Sequence, residues 1–186
     1  MKSALLLAAG RGRRMGDTLK PLLEVEGQTM LSRALDFLGR LDLGEVVVVL
    51  GYRAEAIEPH VTGARVVYNP AWEEGMASSI RSGVEALSPH SQAVLIMPVD
   101  LPELTDHEVG RRVFEAPGPI SAPVHLGRRG HPVRFDRCLY PELLQLRGDR
   151  GAAALLERHP VSLVEVDTPA IYRDRDSRPE GEKGGA

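Results

Sequence analysis

The chain has 186 residues, of which 42% are hydrophobic and few aromatic, enough apolar mass for one buried core and one domain. A formal charge of −3 excludes a general nucleic-acid binder or a membrane-surface binder, both of which carry a basic excess. The single cysteine, Cys138, excludes an internal disulfide and a thiolate metal cluster, and fits a reducing, cytoplasmic setting.

Near-continuous apolar runs mark strands covered on both faces. They fall at "SALLLAA" (3–9), "EVVVVLG" (45–51), "ARVVY" (64–68), "AVLIMPV" (93–99) and "VSLVEV" (161–166). The first is too short for a membrane span, and its arginines follow it where a secretory signal would keep positive charge in front. Helical periodicity appears over 29–41, with Met30, Ala34, Leu38 and Leu41 on one side, and over 76–87, with Met76, Ile80, Val84 and Leu87. Residues 105–116 also read as a helix, 118–124 as a strand, and 129–136 as a strand or hairpin. Two helices are expected at 138–146 and 151–159, around the loop "RGDRG". Strands alternating with helices predict a doubly wound, three-layer α/β/α domain with a mostly parallel sheet over residues 1–172. The charged tail 173–186 is expected to be disordered.

In such sheets ligands sit beyond the carboxyl ends of the strands, which singles out the loop after the first one. "LLLAAGRGRRMGDTLKP" (5–21) has glycines at 10, 12 and 16, arginines at 11, 13 and 14, and Lys20. Glycines let backbone amides approach a ligand, and the cations add charge-assisted contacts, so phosphate is the expected guest. The spacing G-x-G-x-x-x-G departs from the dinucleotide fingerprint, and Gly16 followed by Asp17 departs from the Walker loop. Asp100, just beyond the 93–99 strand, is placed to hold Mg²⁺; the alternative is a turn cap, a part for which Thr105 is better situated. Asp167 ends the last strand, with an Asx turn as its alternative. His131 has no partner at metal-ligand spacing, and Cys138 reads as packing. Trp72 and Met76 read as wall or core.

The first loop resembles the L-A-[AG]-G-x-x-x-R-M-G-x-x-K signature of Rossmann-like nucleotidyltransferases. "NPAWEEGMASSIRSGVEAL" (69–87), "RRGHPVRFDRCLYPELLQLRGDRGAAALL" (128–156) and "VEVDTPAIY" (164–172) are similar, in order, to segments of the molybdenum cofactor cytidylyltransferase branch of the molybdopterin nucleotidyltransferases. That branch usually has acid at both places of D-x-D; here the first is Glu165.

The resemblance implies transfer of CMP from CTP to the terminal phosphate of molybdenum-bound molybdopterin, with Mg²⁺ and release of pyrophosphate. It assigns catalysis to Lys20, Arg14 and Asp100, and the metal to Asp100 and Asp167. Nucleotide contacts fall to Leu7, Ala8, Ala9, Gly10, Arg11, Gly12, Lys20, Gly75 and Ser79. His131 and Asp149 fall toward the acceptor. Ala9 stands where guanylyltransferase relatives carry glycine, and its methyl narrows the space for a base. A guanylyltransferase, a sugar- or alditol-phosphate transferase, and a non-catalytic cofactor carrier are the rival readings. A molybdoenzyme or its chaperone is the implied protein partner.

Overall fold

A computed structural model describes residues 1–12 and 18–174; Arg13, Arg14 and Gly16, and the tail expectation from residue 175 onward, lie outside these. The elements run β1 (Lys2–Ala8), β2 (Glu24–Val25), β3 (Gln28–Thr29), α1 (Met30–Gly39), β4 (Glu45–Leu50), α2 (Ala54–Ile57), β5 (Arg65–Tyr68) and α3 (Met76–Glu85). They continue with β6 (Ala93–Pro98), α4 (His107–Glu115), β7 (Ile120–His125), β8 (Arg128–Arg129), β9 (Val133–Asp136), α5 (Tyr140–Leu143), α6 (Ala153–Arg158) and β10 (Val161–Glu165).

Among the described residues one large sheet has the order β10-β7-β9-β6-β1-β4-β5, with β8 added to β7. β1 is parallel to β4 and β6, β4 to β5, and β10 to β7, while β9 runs antiparallel between β6 and β7. The 129–136 segment thus resolves into a hairpin strand, β8, and a sheet strand, β9.

Side chains of a strand alternate between faces, so β1 serves two cores. Ala4, Leu6 and Ala8 join α1 and α4 through Leu31, Leu38, Val109 and Val113. Leu5, Leu7 and Ala9 join α3 and the 139–155 region through Ile80, Val84, Leu143 and Leu155. The approach of α3 is close: a methyl on Gly83 would lie 2.9 Å from Leu5 Cδ1. Burying each large aliphatic side chain here contributes roughly 1.5–3 kcal/mol.

Several expectations are corrected. Asp106 caps α4, its carboxylate accepting from Glu108 N at 3.0 Å, so Thr105 is not the cap. Met76 is exposed at the start of α3 instead of joining Ile80 and Val84 in the core. Cys138 is exposed, not packed. The predicted 138–146 helix shrinks to a 3-10 turn, Arg137–Leu139, followed by α5.

Candidate nucleotide site

The carboxyl ends of β1 and β6 open into a cavity of about 390 Å³. Leu7, Ala8, Ala9, Gly10, Arg11, Gly12, Lys20, Gly75 and Ser79, predicted for the nucleotide, all line it, together with Asp100 and Asp149. Arg14 lies outside the described residues.

The described start of the first loop, residues 9–12, is held at fixed points. Val99 N donates to Leu7 O at 3.1 Å, extending the β1–β6 ladder one step and bringing Asp100 beside the loop. Tyr52 N donates to Ala9 O at 3.0 Å. Gly12 has φ +66, a conformation glycine reaches without a steric penalty. The Arg11 guanidinium lies 5.3 Å from the Tyr52 ring centroid, and Tyr52 meets Trp72 edge-on at 5.3 Å, so an aromatic pair backs the arginine. Trp72 is wall, as read.

Lys20 opens a 3-10 turn, Lys20–Leu22, whose Pro21 is buried. That anchor directs the ammonium into the cavity, where Nζ donates to Asp100 Oδ2 at 2.8 Å. The turn after Asp100 is held in place by Arg33 of α1, whose Nε donates to Pro102 O at 2.7 Å.

Opposite the loop, Asn69 organises the start of α3. It is buried, donates from Nδ2 to Ser78 Oγ at 2.8 Å and to Ser79 Oγ at 3.0 Å, and accepts from Ala71 N. Ser78 Oγ in turn donates to Gly75 O at 2.8 Å. Asn69 had no assigned part in the sequence; the Asn-Pro pair was its only trace. Gly75 has φ +106, and a methyl there would overlap the Asp149 carboxylate, which packs against it. Asp149 therefore lines this cavity, which His131 does not.

A Gly75→Ala variant is expected to lose about 1–3 kcal/mol of stability through the backbone alone. It should also raise KM for the nucleotide as Asp149 is pushed away. Thermal denaturation and nucleotide saturation curves check both; a variant with neither effect would remove Gly75 from the site.

His131 lines a second cavity, of about 590 Å³, that meets the first at Met76, Pro98 and Asp100. Its Nδ1 is buried without a hydrogen-bond partner among the described residues. Burial pushes the imidazole below its ordinary range, opposed by the Ile96 carbonyl and the Asp100 carboxylate. Asp167 is exposed and lies outside the lining of both cavities, while Thr168 Oγ1 caps the following turn. Glu165 is exposed between buried Val164 and Val166, on the opposite side of β10. No group of three or more His, Cys, Asp or Glu placed to hold a metal occurs among the described residues.

A family model for the MobA-like NTP transferase domain matches residues 4–163. The chain belongs to the MobA-like NTP transferase family. It is 34% identical over 188 residues to the nicotine blue oxidoreductase of Paenarthrobacter nicotinovorans, covering 94% of this chain and 92% of that one. To the purine catabolism protein PucB of Bacillus subtilis strain 168 it is 29% identical, covering 90% and 92%. The crystal structure of Rv0371c from Mycobacterium tuberculosis H37Rv superimposes with a TM-score of 0.83 at 28% identity, covering 95% and 93%. The manganese complex of Rv0371c does so with a TM-score of 0.76 at 27% identity, covering 90% and 89%. As a nucleotidyltransferase of this family the chain carries Gly10, Arg11 and Gly12 at the carboxyl edge of the sheet. No helix among the described residues is long and apolar enough to cross a membrane.

Proposed function

We propose that this protein transfers CMP from CTP to the terminal phosphate of molybdenum-bound molybdopterin, in the cytoplasm and with Mg²⁺. The observation that carries the reading is the Lys20–Asp100 pair, 2.8 Å apart, at the mouth of a glycine-lined cavity. The triphosphate lies along Gly10–Gly12, whose amides and Arg11 face it, and the acceptor enters the second cavity. Both cavities meet at Asp100, so the two substrates come together where the charge changes.

A single carboxylate oxygen donor fits Mg²⁺, which usually takes one or two carboxylates and completes its shell with phosphate oxygens and water. Asp100 supplies that donor, and the seat rests on it, since Asp167 lines neither cavity. Mg²⁺ would be held by Asp100 and would supply positive charge against the phosphates. Lys20 and the loop amides stabilise the charge that develops as an acceptor phosphate oxygen bonds to the α-phosphorus. The α–β phosphoanhydride bond breaks and pyrophosphate leaves with its electron pair. His131 lines the second cavity and there borders the acceptor. CTP is preferred on the branch resemblance and on Ala9, buried in the cavity wall. A molybdoenzyme or its chaperone then receives the product.

The identity to a protein named a nicotine blue oxidoreductase supports a second reading, in which this chain is an oxidoreductase. The experiment that tests the first is pyrophosphate release with Mg²⁺ and molybdenum-loaded molybdopterin, comparing CTP, GTP, ATP and UTP. Release strongest with CTP is expected. Release strongest with GTP would keep the transferase and overturn the part given to Ala9. No release with any of the four nucleotides would overturn the transferase reading and favour the second.

A further inference from the structure

The wall of the second cavity includes the β7–β8 hairpin, and on it stands a guanidinium the proposed chemistry has not yet used. Arg128 and His125 are register partners across that hairpin, so their side chains share a face. Both lie against Tyr172: the Arg128 guanidinium carbon is 4.2 Å from the ring centroid, and the His125 ring is 6.2 Å away, tilted 39°. No carboxylate among the described residues is ion-paired to Arg128.

Tyr172 is itself held. It follows the 3-10 turn Pro169–Ile171, capped by Thr168, and its N donates to Pro169 O at 3.1 Å. Ile171 O accepts from His131 N at 2.6 Å, and a side chain on Gly130 would overlap that carbonyl, so the turn packs directly on the cavity wall. His125 Nδ1 is 2.9 Å from Val166 O. A guanidinium stacked on a ring keeps its N–H groups in the plane and free to form two parallel bonds to one anion.

We propose that Arg128, oriented by Tyr172, seats the phosphate monoester of the acceptor. It binds two of the phosphate's outer oxygens and leaves the third for attack on the α-phosphorus. Arg128 is then a binding residue and Tyr172 a positioning residue. The inference rests on the acceptor occupying the second cavity. Asp174 and Glu157 line the same cavity, Glu157 being ion-paired to Arg150, so the anion's place is the arginine wall.

The test fills the first cavity with Mg²⁺ and a non-transferring α,β-methylene analogue of CTP, then titrates inorganic phosphate by calorimetry. Arg128→Ala should weaken phosphate by about 10–100-fold, the loss of charge-assisted hydrogen bonds, with analogue affinity unchanged. Arg128 is exposed, so its removal spares the core. Tyr172→Leu should weaken phosphate about 2–5-fold, and Tyr172→Phe, which keeps the ring face, should restore it. Equal phosphate affinity in wild type and Arg128→Ala, or no phosphate binding by wild type, overturns the proposal.

Turnover with molybdopterin is followed in parallel. If wild type binds phosphate through Arg128 yet releases no pyrophosphate with molybdopterin, the seat stands and the acceptor's identity falls. If wild type turns over and Arg128→Ala leaves KM for the acceptor unchanged, the seat falls and the activity stands.

Discussion

Asp100→Ala is expected to lower turnover by on the order of 10²–10⁴-fold, or ~3–5 kcal/mol of barrier, with little change in thermal stability. The carboxylate stands at the end of a central strand, held beside the first loop by the Val99–Leu7 hydrogen bond. Its side chain is 21% exposed at the cavity mouth, so alanine opens no void in either core. What is lost is a hard anionic donor in the place shared by both cavities. Asp100→Asn separates two roles: the amide keeps an oxygen that can accept from Lys20, but not the negative charge. If Asp100 serves mainly as a metal donor, asparagine should be nearly as slow as alanine and should need far more Mg²⁺. If it serves only to position Lys20, asparagine should recover much of the rate. Pyrophosphate release as a function of Mg²⁺ concentration checks this, and undiminished turnover in Asp100→Ala would refute the metal seat.

The parallel strands were legible because burial on both faces writes itself as an unbroken apolar run, as in Ser3–Ala9 and Glu45–Gly51. The cavity position of the loop after β1 was legible for a related reason: glycines at a strand's carboxyl end mark a turn at the sheet edge, and Gly10 and Gly12 line the cavity there. Features that depend on crossings of the chain were not. The packing of Asp149 on Gly75 joins residues far apart in sequence, and nothing near "RGDRG" signals which cavity wall it meets. The Arg128–Tyr172 stack likewise needs β10 to run parallel to β7 before its two partners meet. The β2–β3 hairpin, with two-residue strands and positive φ at Glu26 and Gly27, is too short for periodicity to reveal. Cys138 misled because the burial habit of free cysteine is a statistical tendency, and a 3-10 turn here carries it outward.

Lys20→Met should lower turnover by about 10²–10³-fold, the scale for removing one preorganised group from a developing charge. Its effect on metal binding should run the other way. Without substrate, the Lys20 ammonium occupies an oxygen of Asp100 at 2.8 Å, with the lysine side chain only 12% exposed. An ion placed on that carboxylate competes with the ammonium, both by sharing the oxygen and by like-charge repulsion. On the proposed function, an arriving triphosphate would offer Lys20 new anionic partners and leave Asp100 to the ion. Removing the lysine should therefore tighten Mn²⁺ or Mg²⁺ binding to the nucleotide-free protein while slowing the reaction. Metal titration of wild type and Lys20→Met checks the sign, and weaker binding in the variant would rule out the exchange. If the ion-paired residues act as one unit, the double variant with Asp100→Ala should be little slower than the slower single variant.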